Sequence, residues 1–381
     1  MVSPIEYLRW HGAHADGPHD LATSDQHAVA GEWGVVPDVL ADRPDPPDEV
    51  TLRDQIAGEY GVDRDRVLVT AGATLANVAA FAAALGDGRP GADEGAGPTS
   101  GGGEGGRVLV ESPGYEPLWA TPAYLGATVD RFRRQPAEDF SLDADRIAGA
   151  AAAETDLVVA TNRHNPSGRR VGRETLAEAA ESTRDHGARL LVDEVYAPFG
   201  TTGSDGPFGG PTAAGLDGTV VTGSLTKFFG LGGLRVGWLI ADPDFLERAR
   251  RFGHHVPALA TPSRTLARRA LFAREELVAL AREQLRANAA LLVSFVEDRD
   301  DLTGPAFEGA THALLAHSAA GGDPSTGADG DAVAAAAADH GCTVAPGRFF
   351  DAPDRFRVSL GGDSRDMALA LTALGDTLDG L

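Results

Sequence analysis

Of the 33 lysine and arginine residues in this chain of 381 residues, Lys227 is the only lysine. An arginine keeps its proton near neutral pH, so it cannot attack a carbonyl as a free amine. A lysine can do so once burial or a neighbouring cation lowers the pKa of its amine. The sequence therefore points to carbonyl chemistry at a single amine, and the alternative is a solvated surface lysine.

Acidic and amide side chains follow two apolar segments that have the composition of buried strands. Asp193 comes directly after Leu-Leu-Val, with Tyr196 three residues later, and Asn165 lies in an Asn-Pro-Ser-Gly turn after the segment that ends at Thr161. The carboxyl ends of strands face the crevice where α/β proteins bind ligands. Taken alone, Asp193 could instead cap a helix, and the Asn165 segment could be an ordinary turn.

Two further groups of residues carry polar groups that can bind an anion. Gly72, Ala73 and Thr74 lie where a strand leads into a helix, and backbone N–H groups at a helix start bind anions. Ser224 offers a hydroxyl and Arg235 a guanidinium fork, which suits a tetrahedral dianion. The alternatives are a capped helix for the first group and a surface ion pair for Arg235.

The elements that must position these residues are short apolar strands that alternate with longer amphipathic helices. This alternation predicts a mainly parallel sheet with helices on both faces. We predict a long helical stretch from Pro262 to about Asp298 that leads to a smaller C-terminal domain. The predicted strands are Arg66 to Thr70, Arg107 to Glu111, Asp156 to Thr161, Arg189 to Glu194, Thr219 to Gly223 and Arg235 to Ala241, and the other helices are Leu75 to Leu85, Glu174 to His186 and Asp244 to Phe252.

The segment from Ser224 to Gly237 resembles, position by position, the pyridoxal-phosphate attachment signature of class I/II aminotransferases. Gly230 lies three residues after the lysine, and Arg-Val-Gly begins eight residues after it. The other motifs occur in the order of that family, from about Leu52 to Leu360. The resemblance implies fold type I, with a seven-stranded sheet domain over residues 46–245. It also implies a linker helix and small α/β domain over residues 246–381, to which residues 1–45 contribute as a cover of the active site.

The resemblance also implies a role for each candidate residue. Arg357 would bind the substrate carboxylate, and it is preferred over Arg355 because it directly precedes Val-Ser-Leu. Tyr115 would stack on the cofactor ring, with a core tyrosine as the alternative. Lys227 would form a Schiff base with pyridoxal phosphate, and Asp193 would pair with the ring nitrogen of the cofactor. The phenolate oxygen of the cofactor would accept hydrogen bonds from Tyr196 and Asn165, and Asn165 would also contact the substrate. The phosphate would be bound by Gly72, Ala73, Thr74, Ser224 and Arg235.

The function implied is transfer of an amino group between an α-amino acid, or a related amine, and a 2-oxo acid. Decarboxylation, β-elimination and cyclisation are alternatives on the same scaffold, and the first residues faintly resemble those of the capreomycidine synthase branch. A transcription regulator that senses the cofactor would need a DNA-binding domain, for which the residues before about position 45 leave no room. A pseudoenzyme is disfavoured because Lys227, Asp193 and Arg235 are all present.

Composition limits the partners and the cellular compartment. A net charge of −23 argues against nucleic acid, which needs a basic surface, and no apolar stretch is long enough to cross a membrane. We expect a homodimer by resemblance, no metal site, and a reducing cytoplasm because Cys342 is the only cysteine. The acid excess indicates a salt-rich cytoplasm, although a GC-rich genome explains the arginine bias equally well. Gly86 to Gly106 and Ser318 to Asp331 are predicted surface insertions.

Overall fold

The computed structural model describes residues 5–14, 19–26, 29, 31, 34, 36–86, 105–200, 203, 206–256, 259–318 and 327–381. Most of the two segments predicted as surface insertions, residues 87–104 and 319–326, therefore lies outside the described residues. The first three histidines of the chain lie in or next to the short N-terminal elements, where they make local hydrogen bonds or strand contacts.

The strands form one large sheet and two small ones. Over the described residues the strands are β1 (His19–Asp20), β2 (Val67–Thr70), β3 (Arg107–Ser112), β4 (Thr128–Arg133), β5 (Thr155–Thr161), β6 (Arg189–Asp193), β7 (Thr219–Ser224), β8 (Gly237–Ile240), β9 (Leu302–Thr303), β10 (His312–His317), β11 (Cys342–Thr343), β12 (Ala345–Pro346) and β13 (Phe356–Ser359). The large sheet has seven strands in the order β2-β8-β7-β6-β5-β3-β4, and within it β8 is the strand that runs antiparallel to the others.

Helices cover both faces of the large sheet. Along β6 the side chains of Leu190 and Val192 enter one apolar cluster and that of Leu191 enters the other, as the alternation of side chains on a strand requires. The predicted mainly parallel sheet with helices on both faces is confirmed. In the described part of the chain the helices are α1 (Glu6–His14), α2 (Asp38–Ala41), α3 (Leu52–Tyr60), α4 (Ala73–Leu85), α5 (Glu116–Tyr124), α6 (Ala144–Ala150), α7 (Arg173–Asp185), α8 (Pro243–Gly253), α9 (Thr261–Phe272), α10 (Arg274–Glu297), α11 (Gly330–Asp339) and α12 (Ser364–Leu378).

Three details of the sheet and helices differ from the expectation. The seventh strand, β4, was missed because it lies at the sheet edge and carries Thr, Asp and Arg side chains that hide the strand pattern. Arg235 does not begin a strand, because its backbone adopts a left-handed conformation (φ 51°) and β8 starts two residues later. The long helical stretch is two helices, which Ala273 separates.

The smaller sheet is antiparallel, in the order β12-β13-β10-β9, and it packs with α10, α11 and α12 around its own apolar cluster. The N-terminal strand β1 pairs in parallel with β11, so the first described residues of the chain join this C-terminal part. The division of the chain at residues 45 and 245 stays a prediction.

Candidate active site

The strand register brings the polar strand ends together at one edge of the large sheet. Asp193, at the end of β6, is paired with Thr161 of β5 on one side and with Thr222 of β7 on the other. Parallel strands end at the same edge, so the turn that carries Asn165 and the loop that carries Lys227 both leave the sheet beside Asp193. This edge is the floor of the site.

Asp193 is buried and hydrogen-bonded at the centre of that floor. Its carboxylate accepts from Asn77 Nδ2 at 2.8 Å and from the backbone N–H of Val195 at 3.1 Å. Thr222 Oγ1 donates to Asn77 Oδ1 at 2.8 Å, which orients the Asn77 amide toward the acid. Burial raises the pKa of Asp193 above its ordinary value, and the bonds from Asn77 and Val195 oppose that rise. The acid is thus poised to pair with a cationic group inside the cleft.

The candidate phosphate residues meet at the start of α4. The register aligns Thr70, Gly237 and Ser224 across three strands, so Ser224 lies beside the turn that leads into the helix. Gly72 adopts a φ of 85° at the N-cap, and a Cβ added there would lie 2.9 Å from Arg235 Nη2. No side chain caps this helix end. A hydroxyl, a guanidinium and uncapped N–H groups therefore surround one small space.

Lys227 pairs with an acid that the sequence did not reveal. Its Nζ donates to Asp25 Oδ1, and both side chains are about three-quarters buried. Burial by itself lowers the pKa of Lys227, but the charge of Asp25 and the phenols Tyr196 and Tyr115 outweigh it, so the pKa lies above its ordinary value. Asp25 therefore stabilises the charged amine, which opposes the lowering of the pKa that makes a lysine a nucleophile.

Tyr196 lies between the floor and the N-terminal residues. Its hydroxyl is hydrogen-bonded to that of Ser24, which is buried. The ring of His312 lies 4.8 Å from the Tyr196 ring, and burial followed by the charge of Arg357 lowers the pKa of His312 to about 3. His312 is therefore neutral at physiological pH, and it is a packing partner of the tyrosine rather than a charge in the cleft.

Arg357 lies opposite the floor, on β13, and is only 2% exposed. Its Nη1 donates to Asn165 Oδ1 at 2.7 Å, and its Nη2 donates to Tyr7 Oη at 2.9 Å and to the carbonyl of Ala22 at 2.8 Å. Its Nε is buried and has no partner among the described residues. A buried guanidinium whose Nε has no partner is suited to binding a carboxylate. Arg355 instead lies over the ring of Phe140.

Helix α1 covers the site from the N-terminal side. The carboxylate of Glu116 accepts from the backbone N–H groups of Glu6 at 2.8 Å and Tyr7 at 2.5 Å, which fixes the start of the helix. The Tyr7 ring packs edge-on against Tyr115, with a centroid distance of 5.6 Å, and also against Phe349. Tyr115 therefore lies in an aromatic cluster at the edge of the cleft, where it could still face a bound ring.

The structure places the eleven sequence-predicted residues on two sides of one cleft. Tyr115 and Arg357 lie on the side of the cleft that is covered by the N-terminal residues, namely α1 and residues 22–26. The other residues lie on the floor. Sequence reasoning missed four residues that touch them. Asn77 could have been found, since it follows Thr74 by about one helical turn, whereas no local signal marks the other three. The four are Tyr7, Ser24, Asp25 and Asn77.

The residues present fit pyridoxal phosphate. A dianion suits the space beside Gly72, where Cβ atoms are excluded: a Cβ on Gly237 would lie 2.4 Å from the Gly72 carbonyl carbon. Asp193 suits a protonated pyridine nitrogen, and the only lysine of the chain lies on the same floor. Within the described residues no group of three or more potential metal ligands is close enough to hold an ion, and no helix there has the length and apolar composition to span a bilayer.

The family model for aminotransferase class I and II matches residues 44–374. The chain belongs to this family. It has the fold of these enzymes and uses pyridoxal phosphate as its cofactor. Capreomycidine synthase of Streptomyces vinaceus is 26% identical over 71% of this chain and 68% of its own length. Histidinol-phosphate aminotransferase of Rhodospirillum centenum is 28% identical over 61% of this chain and 57% of its own length.

Solved structures of the family superpose over almost the whole chain. A pyridoxal-phosphate-dependent aminotransferase from Streptococcus suis superposes with a TM-score of 0.78, covering 100% of this chain and 98% of that chain at 20% identity. At this identity the superposition shows the fold alone, so the substrate has to be argued from the site itself.

Proposed function

We propose that the protein transfers an amino group between an α-amino acid, or a related amine, and a 2-oxo acid. The observation that supports this most is the position of the only lysine of the chain, which lies within electrostatic range of Tyr196, Tyr115 and Asp193. A single amine on the floor, facing a buried arginine with an unused donor, suits a substrate that carries an amino group and a carboxylate.

Each residue has a definite task in this proposal. Arg357 binds and orients the α-carboxylate, while Asn165 fixes one edge of the guanidinium. Asp193 holds a proton at the pyridine nitrogen, and the space beside Gly72 anchors the phosphate. Pyridoxal phosphate supplies, when bound, an aldehyde carbon for the amino group and a ring that withdraws electrons. Lys227 Nζ would hold the cofactor at its aldehyde carbon, with loss of water, and the same nitrogen would move the α-proton as a general base.

The alternative is another reaction on the same scaffold, namely decarboxylation, β-elimination or cyclisation. The similarity to capreomycidine synthase supports the cyclase among these. All of these reactions use the same floor, and the bond that breaks depends on how the cover and Arg357 orient the substrate.

We further propose a homodimer in a salt-rich cytoplasm. A cavity of about 750 Å³ opens beside the start of α4, lined in part by Thr70, Ala71, Arg53, Arg264 and Phe252. An open cleft next to the phosphate space supports a site that a second copy of the chain completes. The acid excess supports the salt-rich setting, since carboxylates keep a protein soluble there.

The test mixes the cofactor-loaded protein with a panel of amino acids and measures absorbance and products. Transamination predicts conversion to pyridoxamine phosphate together with a 2-oxo acid. Release of carbon dioxide or ammonia without pyridoxamine phosphate would favour the alternative chemistries. Lys227→Ala should abolish turnover and borohydride trapping of the cofactor while the circular dichroism spectrum stays unchanged, because no other side-chain amine is present. Full activity in Lys227→Ala would contradict the proposal.

A further inference from the structure

Residues 22–26 form an N-terminal strap that runs along the cleft from Arg357 to Lys227. The strap is fixed by its backbone: the carbonyl of Ala22 accepts from Arg357 Nη2, and the N–H of Gln26 donates to the carbonyl of Lys227 at 2.9 Å. The Gln26 side chain donates to the carbonyl of Leu360 at 3.1 Å. The position of Asp25 is therefore set from both sides.

The side chains of the strap contact residues of the site. Ser24 is hydrogen-bonded to Tyr196, and Asp25 forms an ion pair with Lys227. Asp20 Oδ1 accepts from the N–H groups of Ala22 and Thr23 at 2.8 and 3.1 Å, which fixes the turn that leads into the strap. Asp25 therefore contacts Lys227 Nζ, the nitrogen that binds the cofactor in the proposed function.

We propose that Asp25 is a positioning residue that keeps a proton on the Lys227 nitrogen and so sets the pH range in which this amine reacts. The inference rests on the proposed function for its consequence, but the ion pair itself is a property of the chain. A carboxylate within hydrogen-bond distance favours the charged form of an amine, typically by about 1–3 pKa units.

Other influences around Lys227 both raise and lower the pKa of its amine. Tyr196 and Tyr115 raise its pKa, while burial lowers it. Arg357 is the other cation of the cluster. Asp193 on β6, His11 on α1 and His312 on β10 also lie within electrostatic range of the lysine. Burial is already the largest single influence on the pKa of Lys227, so the pKa would fall if Asp25 no longer opposed it.

In the reaction, Asp25 controls whether Lys227 Nζ carries a proton. With Asp25 in place, the free amine of Lys227 stays protonated at neutral pH. Asp25 therefore makes the amine reluctant to act as a base until the ion pair rearranges. This differs from a site in which burial alone makes the lysine neutral.

The single lysine allows a direct experiment. Full-length protein made with lysine enriched in ¹³C at the ε-carbon gives one lysine resonance, whose chemical shift reports the protonation of Lys227. In the cofactor-free wild type we expect no titration of this resonance up to about pH 10, which is close to the ordinary lysine value. In Asp25→Asn we expect the midpoint to fall by at least about one pH unit, because burial then dominates.

Matched variants separate charge from structure. Asp25→Glu keeps the carboxylate and should restore the high midpoint, whereas Asp25→Ser should titrate like Asp25→Asn. Asp217→Asn removes an exposed surface carboxylate and should leave the midpoint unchanged. Equal midpoints in wild type, Asp25→Asn and Asp25→Ser, each with an unchanged circular dichroism spectrum, would overturn the inference.

The cofactor-loaded protein gives a second measurement. The visible absorbance of the bound cofactor should titrate at least about one pH unit lower in Asp25→Asn than in wild type. Unaltered absorbance titration would also contradict the inference. Failure of the proposed function is recognisable separately, because borohydride would then leave Lys227 unmodified in wild type and in every variant.

Discussion

The floor and the cover of the cleft are built in different ways. On the floor, Asp193 and Ser224 lie at the ends of adjacent buried strands, so the sheet register alone sets their spacing. In the cover, each key contact joins segments that are far apart in the chain: Tyr7 to Arg357, Ser24 to Tyr196, and Asp25 to Lys227. The floor thus inherits its geometry from the core, whereas the cover depends on a few polar contacts between distant segments.

This difference predicts where substitutions act. A change on the floor should impair the chemistry of the cofactor for every substrate, because each reaction of the scaffold uses the same floor. A change in the cover should alter substrate binding or the protonation of Lys227 and leave cofactor binding nearly intact. The floor and the cover can therefore be separated by measuring kcat, KM and cofactor affinity together.

The largest effect is expected on the floor, from Asp193→Asn. This variant keeps the shape of the side chain but removes the charge that would stabilise a protonated pyridine nitrogen. We expect kcat to fall by about 10²–10³-fold, a typical loss when one preorganised electrostatic group is removed. Steady-state kinetics and the visible absorbance of the bound cofactor measure the loss.

Asn77→Ala provides the graded comparison for Asp193→Asn. It removes the hydrogen bond of 2.8 Å to Asp193 but keeps the acid, so its effect on kcat should have the same direction and be smaller. If Asp193→Asn changed only KM and left kcat intact, the division between floor and cover would be wrong.

The sequence revealed the floor far better than the cover, for a physical reason. Lys227, Ser224 and Arg235 lie in one short motif, and Asp193 follows an apolar strand, so local order and strand ends were sufficient. Asp25 lies in Thr-Ser-Asp-Gln, which is ordinary loop composition, and its contact with Lys227 arises only from the folded chain. The ion pair that stabilises the charge of the lysine therefore left no signal in the sequence.

An intermediate effect is expected in the cover, from Tyr7→Phe. The phenol accepts a hydrogen bond of 2.9 Å from Arg357 Nη2, and a bond to a charged group contributes about 1.5–3 kcal/mol. Loss of this bond should loosen the guanidinium that would hold the substrate carboxylate. We expect KM for the amino acid to rise about tenfold with kcat changed less than about threefold.

Tyr124→Phe is the matched control for Tyr7→Phe, because Tyr124 is largely exposed and should tolerate loss of its hydroxyl without effect. A tenfold loss of cofactor affinity in Tyr7→Phe, with unchanged KM, would show that α1 supports the floor as well as the substrate. The floor and the cover would then not act separately on cofactor and substrate.

The smallest effect on catalysis is expected from Glu194→Gln, although this residue directly follows Asp193. The Glu194 carboxyl faces away from the cleft and accepts from Thr212 Oγ1 at 2.7 Å and from the Ala213 N–H at 2.6 Å. Burial raises its pKa to about 8, so it keeps its proton in the folded protein when the unfolded chain has lost it. Its stabilising contribution is complete below its ordinary pKa and is lost as the pH rises to about 8.

Glu194→Gln removes this titration and should flatten the pH dependence of stability. Between pH 5 and pH 8 we expect the free energy of unfolding of wild type to fall by on the order of 3 kcal/mol relative to the variant, as measured by denaturant unfolding at each pH. The variant should retain kcat within about twofold, because no atom of Glu194 contacts the cleft. A loss of kcat comparable with that of Asp193→Asn would mean that the floor extends behind the strand ends. Catalysis would then depend on buried residues such as Glu194 as well as on the residues that line the cleft.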